Sequence, residues 1–202
     1  MMSTNEIAAL QQQLMETTAR LRELQASMPG VAVKNYTFET TEGSVTLRDL
    51  FAGHEKLLVI HNMGQACRYC TLWGDGLNPF VPHLESTLSL VMLSKDPPHL
   101  QRQFANSRGW RFRMASHQGG EYQSQQVSVD GMDNMPGAVV YEIRDDQICR
   151  MASTFFGPGD LYCSQWHFLG LAGIGLDEWT PQYNYWQRPK KMEDGGENLL
   201  QG

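Results

Sequence analysis

The chain has 202 residues, of which 41% are hydrophobic, and carries a formal net charge of -6. That length supports one substantial core with appendages rather than two, and the acidic balance argues against nucleic acid as a main partner, because such partners select a basic face. No apolar run reaches the length of a bilayer span and the start lacks the pattern of a secretory signal, so a soluble, cytoplasmic protein with no membrane partner is expected.

From the N-terminus, Ile7, Leu10, Leu14, Leu21, Leu24 and Met28 form one stripe with a seven-residue repeat, interrupted at Thr17. This predicts an amphipathic helical arm over residues 1–29, stopped by Pro29-Gly30. A lone helix of that length is marginal in water, so its stripe needs a partner surface. The expectation is a homodimer through the N-terminal helix; docking on its own domain is the alternative. Alternation in residues 36–38 and 45–47 around Glu42-Gly43 predicts a β-hairpin, followed by a short segment at 49–51. Residues 57–60 are apolar on both faces, as in a central strand covered by helices. Cys67-Arg68-Tyr69-Cys70 then opens a helix, which Gly74 and Gly76 weaken by about 1 kcal/mol each relative to alanine.

A second buried strand is predicted at 88–93. Asp96-Pro97 reads as an N-cap and a first-turn proline, with Leu100 and Phe104 on the buried helix face and Gly109 closing the helix. A short strand at 110–114 precedes a long irregular connection over 119–135. Strands at 138–143 and 147–151 join tightly at Asp145-Asp146, and a last helix spans 161–171. The folded domain is assigned to residues 30–189, and 190–202 to a disordered tail. Strands alternating with helices imply an α/β fold, and the closing hairpin makes its sheet mixed.

Four cysteines in a reducing compartment are poor structural staples, so the C-x-x-C pair points to redox chemistry or metal. A cysteine at a helix start meets unpaired N–H donors and the positive end of the helix dipole, which favour its thiolate; Arg68 adds a positive charge. Cys67 is therefore the expected attacking sulfur. Cys70, one turn later on the same side, is the expected resolving sulfur. A zinc ribbon normally needs a second C-x-x-C, which this chain lacks; Cys149, Cys163 and His167 form an alternative metal set. Isolated cysteines usually pack as small apolar residues, so no metal and no cofactor are expected.

His61, after the first buried strand, is a candidate proton acceptor for Cys70, or a satisfied core histidine. Trp73 either shields the dithiol or packs in the core. Arg102, Arg108, Arg111 and Arg113 make a basic cluster, read as a solvated face or an anion site. Trp179, Tyr183, Tyr185 and Trp186 are expected to pack back on the domain or on a second subunit.

Residues 57–60, Cys67-Arg68-Tyr69-Cys70, and Met135-Pro136 entering Ala138-Val139-Val140-Tyr141 resemble the thioredoxin superfamily in kind and order. The resemblance implies a thioredoxin-like fold, with a mixed central sheet flanked by helices behind the N-terminal arm. It also implies a cis proline at Pro136 packed against the dithiol, with Arg68, Tyr69, Trp73, Met135 and Pro136 meeting substrate. Residues 70–78, with the arm and the aromatic tail, are similar to an uncharacterised bacterial family of thioredoxin-like proteins. Arg-Tyr replaces the Gly-Pro of ordinary thioredoxins, and His61 stands where they keep a buried acid. The hairpin and residues 91–96 resemble peroxiredoxins, although Gly64 replaces their threonine before Cys67 and Gly137 follows Pro136 in place of arginine. The leading expectation is a thiol-disulfide oxidoreductase acting on a disulfide-bearing protein or a small thiol. A peroxiredoxin-like peroxidase and a non-catalytic thioredoxin-like binding module are the alternatives.

Overall fold

The computed structural model describes residues 4–129, 131–183 and 185; the expectations for Trp186 and for the tail 190–202 lie outside them. The first half of the chain runs α1 (Thr4–Ser27), β1 (Val31–Ala32), β2 (Thr37–Thr40), β3 (Gly43–Thr46), a 3-10 turn (Asp49–Phe51), β4 (Lys56–His61) and α2 (Arg68–Leu77). After the short α3 (Val81–Leu84) come β5 (Ser89–Ser94), α4 (Pro98–Arg108), β6 (Arg113–Ser116), α5 (Gly120–Tyr122), β7 (Gly137–Arg144), β8 (Gln147–Phe155) and α6 (Ser164–Leu171).

All of these strands join one sheet in the order β1-β8-β7-β4-β5-β6-β2-β3. Strands β4, β5 and β6 are parallel, while β7, β8 and the β2-β3 hairpin pair antiparallel, so the sheet is mixed. Every residue of β5 is buried, which a strand covered on both faces requires. One face carries Phe38, Leu47, Leu57, Val59, Val91 and Tyr141 beneath the hairpin. The other packs Ile60, Trp73, Leu90, Met92, Trp110 and Trp166 under the helices. The turn between β7 and β8 places Asp145 (φ 47°) and Asp146 (φ 63°) in the left-handed region, the twist a two-residue hairpin needs.

Five local expectations change. Asp96 is not the cap of α4: Pro97 takes that position without a side-chain cap, and the Asp96 carboxylate turns to another loop. Gln101 and Ala105 hold the buried face of that helix, with Leu100 and Phe104 only half-buried. Trp110 and Phe112 plug the helix-side core, so β6 starts only at Arg113. The connection 119–135 contains α5 and a wide π turn, Gln123–Val127, because Tyr122, Gln126 and Val127 turn inward to fill space under the hairpin. Finally, no cis peptide bond occurs among the described residues. The reversal before β7 is made at Asn134 (φ 59°), which leaves Pro136 trans.

Gly74 does not break α2. A Cβ there would lie 2.4 Å from the Trp110 ring, so its absence admits a close approach of indole to helix backbone. The arm contrasts with this packing, since α1 has no buried residue and Ile7, Leu10, Leu14 and Leu24 are all more than half exposed. Its C-terminal half, with Val31 and Met151, borders a groove of about 450 Å³. No described helix is long and apolar enough to cross a membrane.

Candidate active site

Strand alternation sends successive side chains to opposite faces, so Leu57, Val59 and His61 share the hairpin side of β4 while Leu58 and Ile60 face the helices. The chain leaves β4 at His61, loops through residues 62–66 and re-enters regular structure at Cys67, the N-cap of α2. Cys67 has an extended backbone (φ -93°, ψ 100°), and its sulfur accepts the Cys70 N–H at 3.1 Å. Here a sulfur takes the place that serine or aspartate oxygens fill at most helix starts. Cys70, one turn on, is buried, and its Sγ accepts the Met63 N–H at 3.5 Å.

These contacts separate the two thiols. The Cys67 thiol is lowered to about 7, chiefly by the hydrogen bond from the Cys70 thiol, with burial opposing and the N–H groups of Cys70 and Tyr69 and the Arg68 charge assisting. Cys70 is held far above an ordinary thiol, first by that shared hydrogen bond and then by burial. At neutral pH Cys67 is thus a substantial thiolate while Cys70 keeps its proton. All four cysteines are in the free form.

The loop ahead of Cys67 is tied down by side chains from four places. Asn134 Nδ2 donates to the Met63 carbonyl (3.1 Å), and the Gly64 N–H donates to Asn62 Oδ1 (2.8 Å). The Gln65 N–H donates to Asp96 Oδ2 (2.8 Å), and the Tyr183 hydroxyl donates to the Ala66 carbonyl. Gly64, at φ +123°, is a position only glycine suits: a Cβ would meet the Asp96 carboxylate at 2.8 Å. Tyr183 belongs to a C-terminal strap whose own carbonyl accepts from Arg108 Nη1 at 2.8 Å. Arg108 in turn grips Asp75, which also accepts from Trp110 Nε1.

A cavity of about 660 Å³ opens over Cys67, bordered by the loop and by Tyr69, Lys95, Asp96, Asn134 and Tyr183. Of the residues proposed from sequence, Cys67, Arg68 and Tyr69 line it, and Cys70 lies beneath. Trp73 is in the core, stacked on Phe156 and donating to Asp160 Oδ2 at 2.9 Å. Met135 and Pro136 stand back from the cavity; the Met135 N–H bonds the Val127 carbonyl and the Pro136 carbonyl accepts from Phe156. Asn134, just before them, takes the place expected of Met135 and Pro136. Asp96, Lys95, Asn134 and Tyr183 were not singled out from sequence for this site.

Of its two readings, His61 matches the satisfied core histidine. Its Nε2 bonds the Tyr122 hydroxyl at 2.7 Å, and a buried chain continues through Tyr141, Gln126 and Tyr36 before reaching the surface at Gln125. Burial, with His117 and Arg150 adding to it, lowers His61 to about 3, so it stays neutral and is a weak proton acceptor for Cys70. The other metal and anion candidates disperse. Cys149 lies in β8 opposite Glu142 of β7, and His167 Nε2 bonds the Asp160 carbonyl. Among the described residues no group of three His, Cys, Asp or Glu side chains could hold a metal. Arg102, Arg108 and Arg113 each donate to backbone carbonyls, while Arg111 and Arg113 stay on the solvent-exposed surface.

A family model described as a bacterial protein of unknown function (DUF899) matches residues 3–192. No curated protein matches the chain. Among solved structures it is similar to peroxidoxin BcpB from Mycobacterium tuberculosis, at 18% identity over 63% of this chain and 85% of that one, with a TM-score of 0.50. Peroxiredoxin Q of Xanthomonas campestris is similar at 13% identity over 72% of this chain and 95% of that one, TM-score 0.54. A cysteine mutant of Xylella fastidiosa PrxQ gives 12% identity, 71% and 96% coverage, and a TM-score of 0.54. At these identities the likeness shows the fold, which is thioredoxin-like.

Proposed function

We propose that this chain, which belongs to the DUF899 family of bacterial proteins, is a thiol-disulfide oxidoreductase in which Cys67 attacks and Cys70 resolves. The observation that carries this reading is the Cys67 sulfur at the N-cap of α2, lowered to about 7, with a protonated Cys70 one turn away. A half-exposed low-pKa sulfur suits attack, and a buried sulfur that keeps its proton until a mixed disulfide forms suits resolution. Oxidation of the reduced chain across a series of redox potentials, with mass mapping of the products, tests it. A Cys67–Cys70 disulfide is expected, and Cys70→Ser is expected to accumulate a mixed disulfide at Cys67. Failure to form the intramolecular disulfide at any potential rejects the reading.

The fold neighbours, named as peroxiredoxins and a peroxidoxin, favour a second reading as a thiol peroxidase. In that case the Cys67 thiolate attacks a peroxide oxygen, the O–O bond breaks, and Cys70 condenses with the resulting sulfenic acid as water leaves. Gly64 before Cys67 and Gly137 after Pro136 weigh against it. Stopped-flow mixing with hydrogen peroxide separates the two: consumption no faster than that of a free thiol removes the peroxidase.

A further inference from the structure

The cavity over Cys67 has the size of a small-molecule site; about 300–1,000 Å³ is usual for those. Two of its walls are firm, because Asn134 and Tyr183 are buried and each is bonded to a loop carbonyl. Its charges, two cations facing Asp96 and the Cys67 thiolate, balance in number but differ in how far they are engaged. Arg68, at the first residue of α2, and Lys95, just past β5, both border it. The Asp96 carboxylate is turned onto the loop, bonded to the Gln65 N–H and lying against Gly64. Lys95 is exposed, and its ammonium makes no ion pair among the described residues.

We propose that this cavity receives a low-molecular-weight disulfide bearing carboxylate groups, with Lys95 attracting a carboxylate while Cys67 meets the sulfur. The assignment rests on the reading of Cys67 and Cys70 as a redox dithiol. The Cys67 thiolate attacks one substrate sulfur, the substrate S–S bond breaks, and the departing thiolate takes a proton from water. Cys70 then releases its proton and attacks Cys67 Sγ, expelling the second thiolate, which is protonated likewise. Two electrons pass to the substrate: one disulfide becomes two thiols, and the dithiol becomes a Cys67–Cys70 disulfide. A cation beside the reacting sulfur raises the encounter rate of an anionic substrate, and the effect falls with salt.

The reduced full-length chain is mixed with glutathione disulfide, which carries carboxylates, with cystamine, which carries only amines, and with neutral bis(2-hydroxyethyl) disulfide. Each rate is divided by that of the same probe with a free small thiol, which removes differences between leaving groups. Glutathione disulfide is expected to exceed the neutral probe by about tenfold at low salt, with cystamine slowest. In Lys95→Met the preference for glutathione disulfide over the neutral probe is expected to fall about threefold. Equal normalised rates, an unchanged preference in Lys95→Met, or faster reaction with a protein disulfide than with glutathione disulfide overturns this assignment while the dithiol reading stands. A folded Cys70→Ser chain whose Cys67 forms a mixed disulfide with no probe, the protein disulfide included, overturns both.

Discussion

His61 ends β4 and Cys67 opens α2, with one short loop between them, yet their surroundings drive their chemistry in opposite directions. His61 points under the hairpin, where Tyr122 takes its nitrogen and no counter-charge is close, and its titration is pushed to about 3. Cys67 stays half-exposed at the floor of a cavity, where hydrogen bonds from its neighbours pull the thiol to about 7. Burial without a compensating charge favours the neutral form, whereas donors aimed at a sulfur favour the charged one. The face of the strand and the start of the helix therefore decide which titratable group is available near neutral pH.

The contrast is broken most severely at Cys67 itself. Cys67→Ser is expected to slow alkylation at the Cys67-x-x-Cys70 site, read by peptide mass mapping at pH 7, by about a hundredfold or more, because the remaining Cys70 is buried. Cys70→Ala is expected to keep alkylation at Cys67 but move its pH midpoint upward from about 7, since the largest stabilising hydrogen bond is lost.

Next in size is acid. His61 and His117 are lowered to about 3 and about 4, chiefly by burial, while an unfolded histidine titrates near 6.5. Below 6.5 the unfolded chain binds protons that the native chain does not, so stability falls as pH drops from 6.5 toward 4. The slope is about 1.4 kcal/mol per pH unit for each imidazole held neutral. Denaturant midpoints from pH 7.5 to 4.5 measure it, and His61→Gln should flatten the curve.

Tyr122→Phe leaves His61 Nε2 and the Tyr141 hydroxyl short of a partner and should destabilise by about 1–3 kcal/mol in urea titrations. The Cys67 midpoint should stay where it was; a shift would show that the sealed and open sites are coupled.

The smallest energetic effect is expected from removing residues 1–28. No α1 residue is buried, so the unfolding free energy should change by less than about 0.5 kcal/mol. If the heptad stripe joins two copies, light scattering will give twice the chain mass for the full chain and the single mass for the deletion. A full-length monomer at micromolar concentration ends the dimer.

Much of this architecture could be read from the residues because its signals are local. The apolar runs of β4 and β5, the Asp145-Asp146 turn and the spacing of Cys67 and Cys70 need only near neighbours in sequence. The loop clamps do not. Asp96 carries the signature of a helix cap, and only the fold shows that its carboxylate meets Gln65 on another loop. Asn134 and Tyr183 converge on the carbonyls before Cys67 from distant parts of the chain, so no spacing marks them. For His61 the phase with Leu57 and Val59 was visible, but which face α2 would cover was not. Gly74 reads as a weak point of a helix until Trp110 is seen to occupy the space its side chain would take.

Translation produces Ala66 long before the hydroxyl that holds its carbonyl, since Tyr183 lies 117 positions further along the chain. By the time β8 has emerged, every strand of the sheet has been made, yet the loop ahead of Cys67 still lacks its strap. The thiol is therefore least guarded during its own manufacture, and the last described segment to appear is the one that finishes the nucleophile's setting. Nascent chains arrested just after β8 should label at Cys67 faster than released ones, which makes the strap a timer for the site as well as a wall of it.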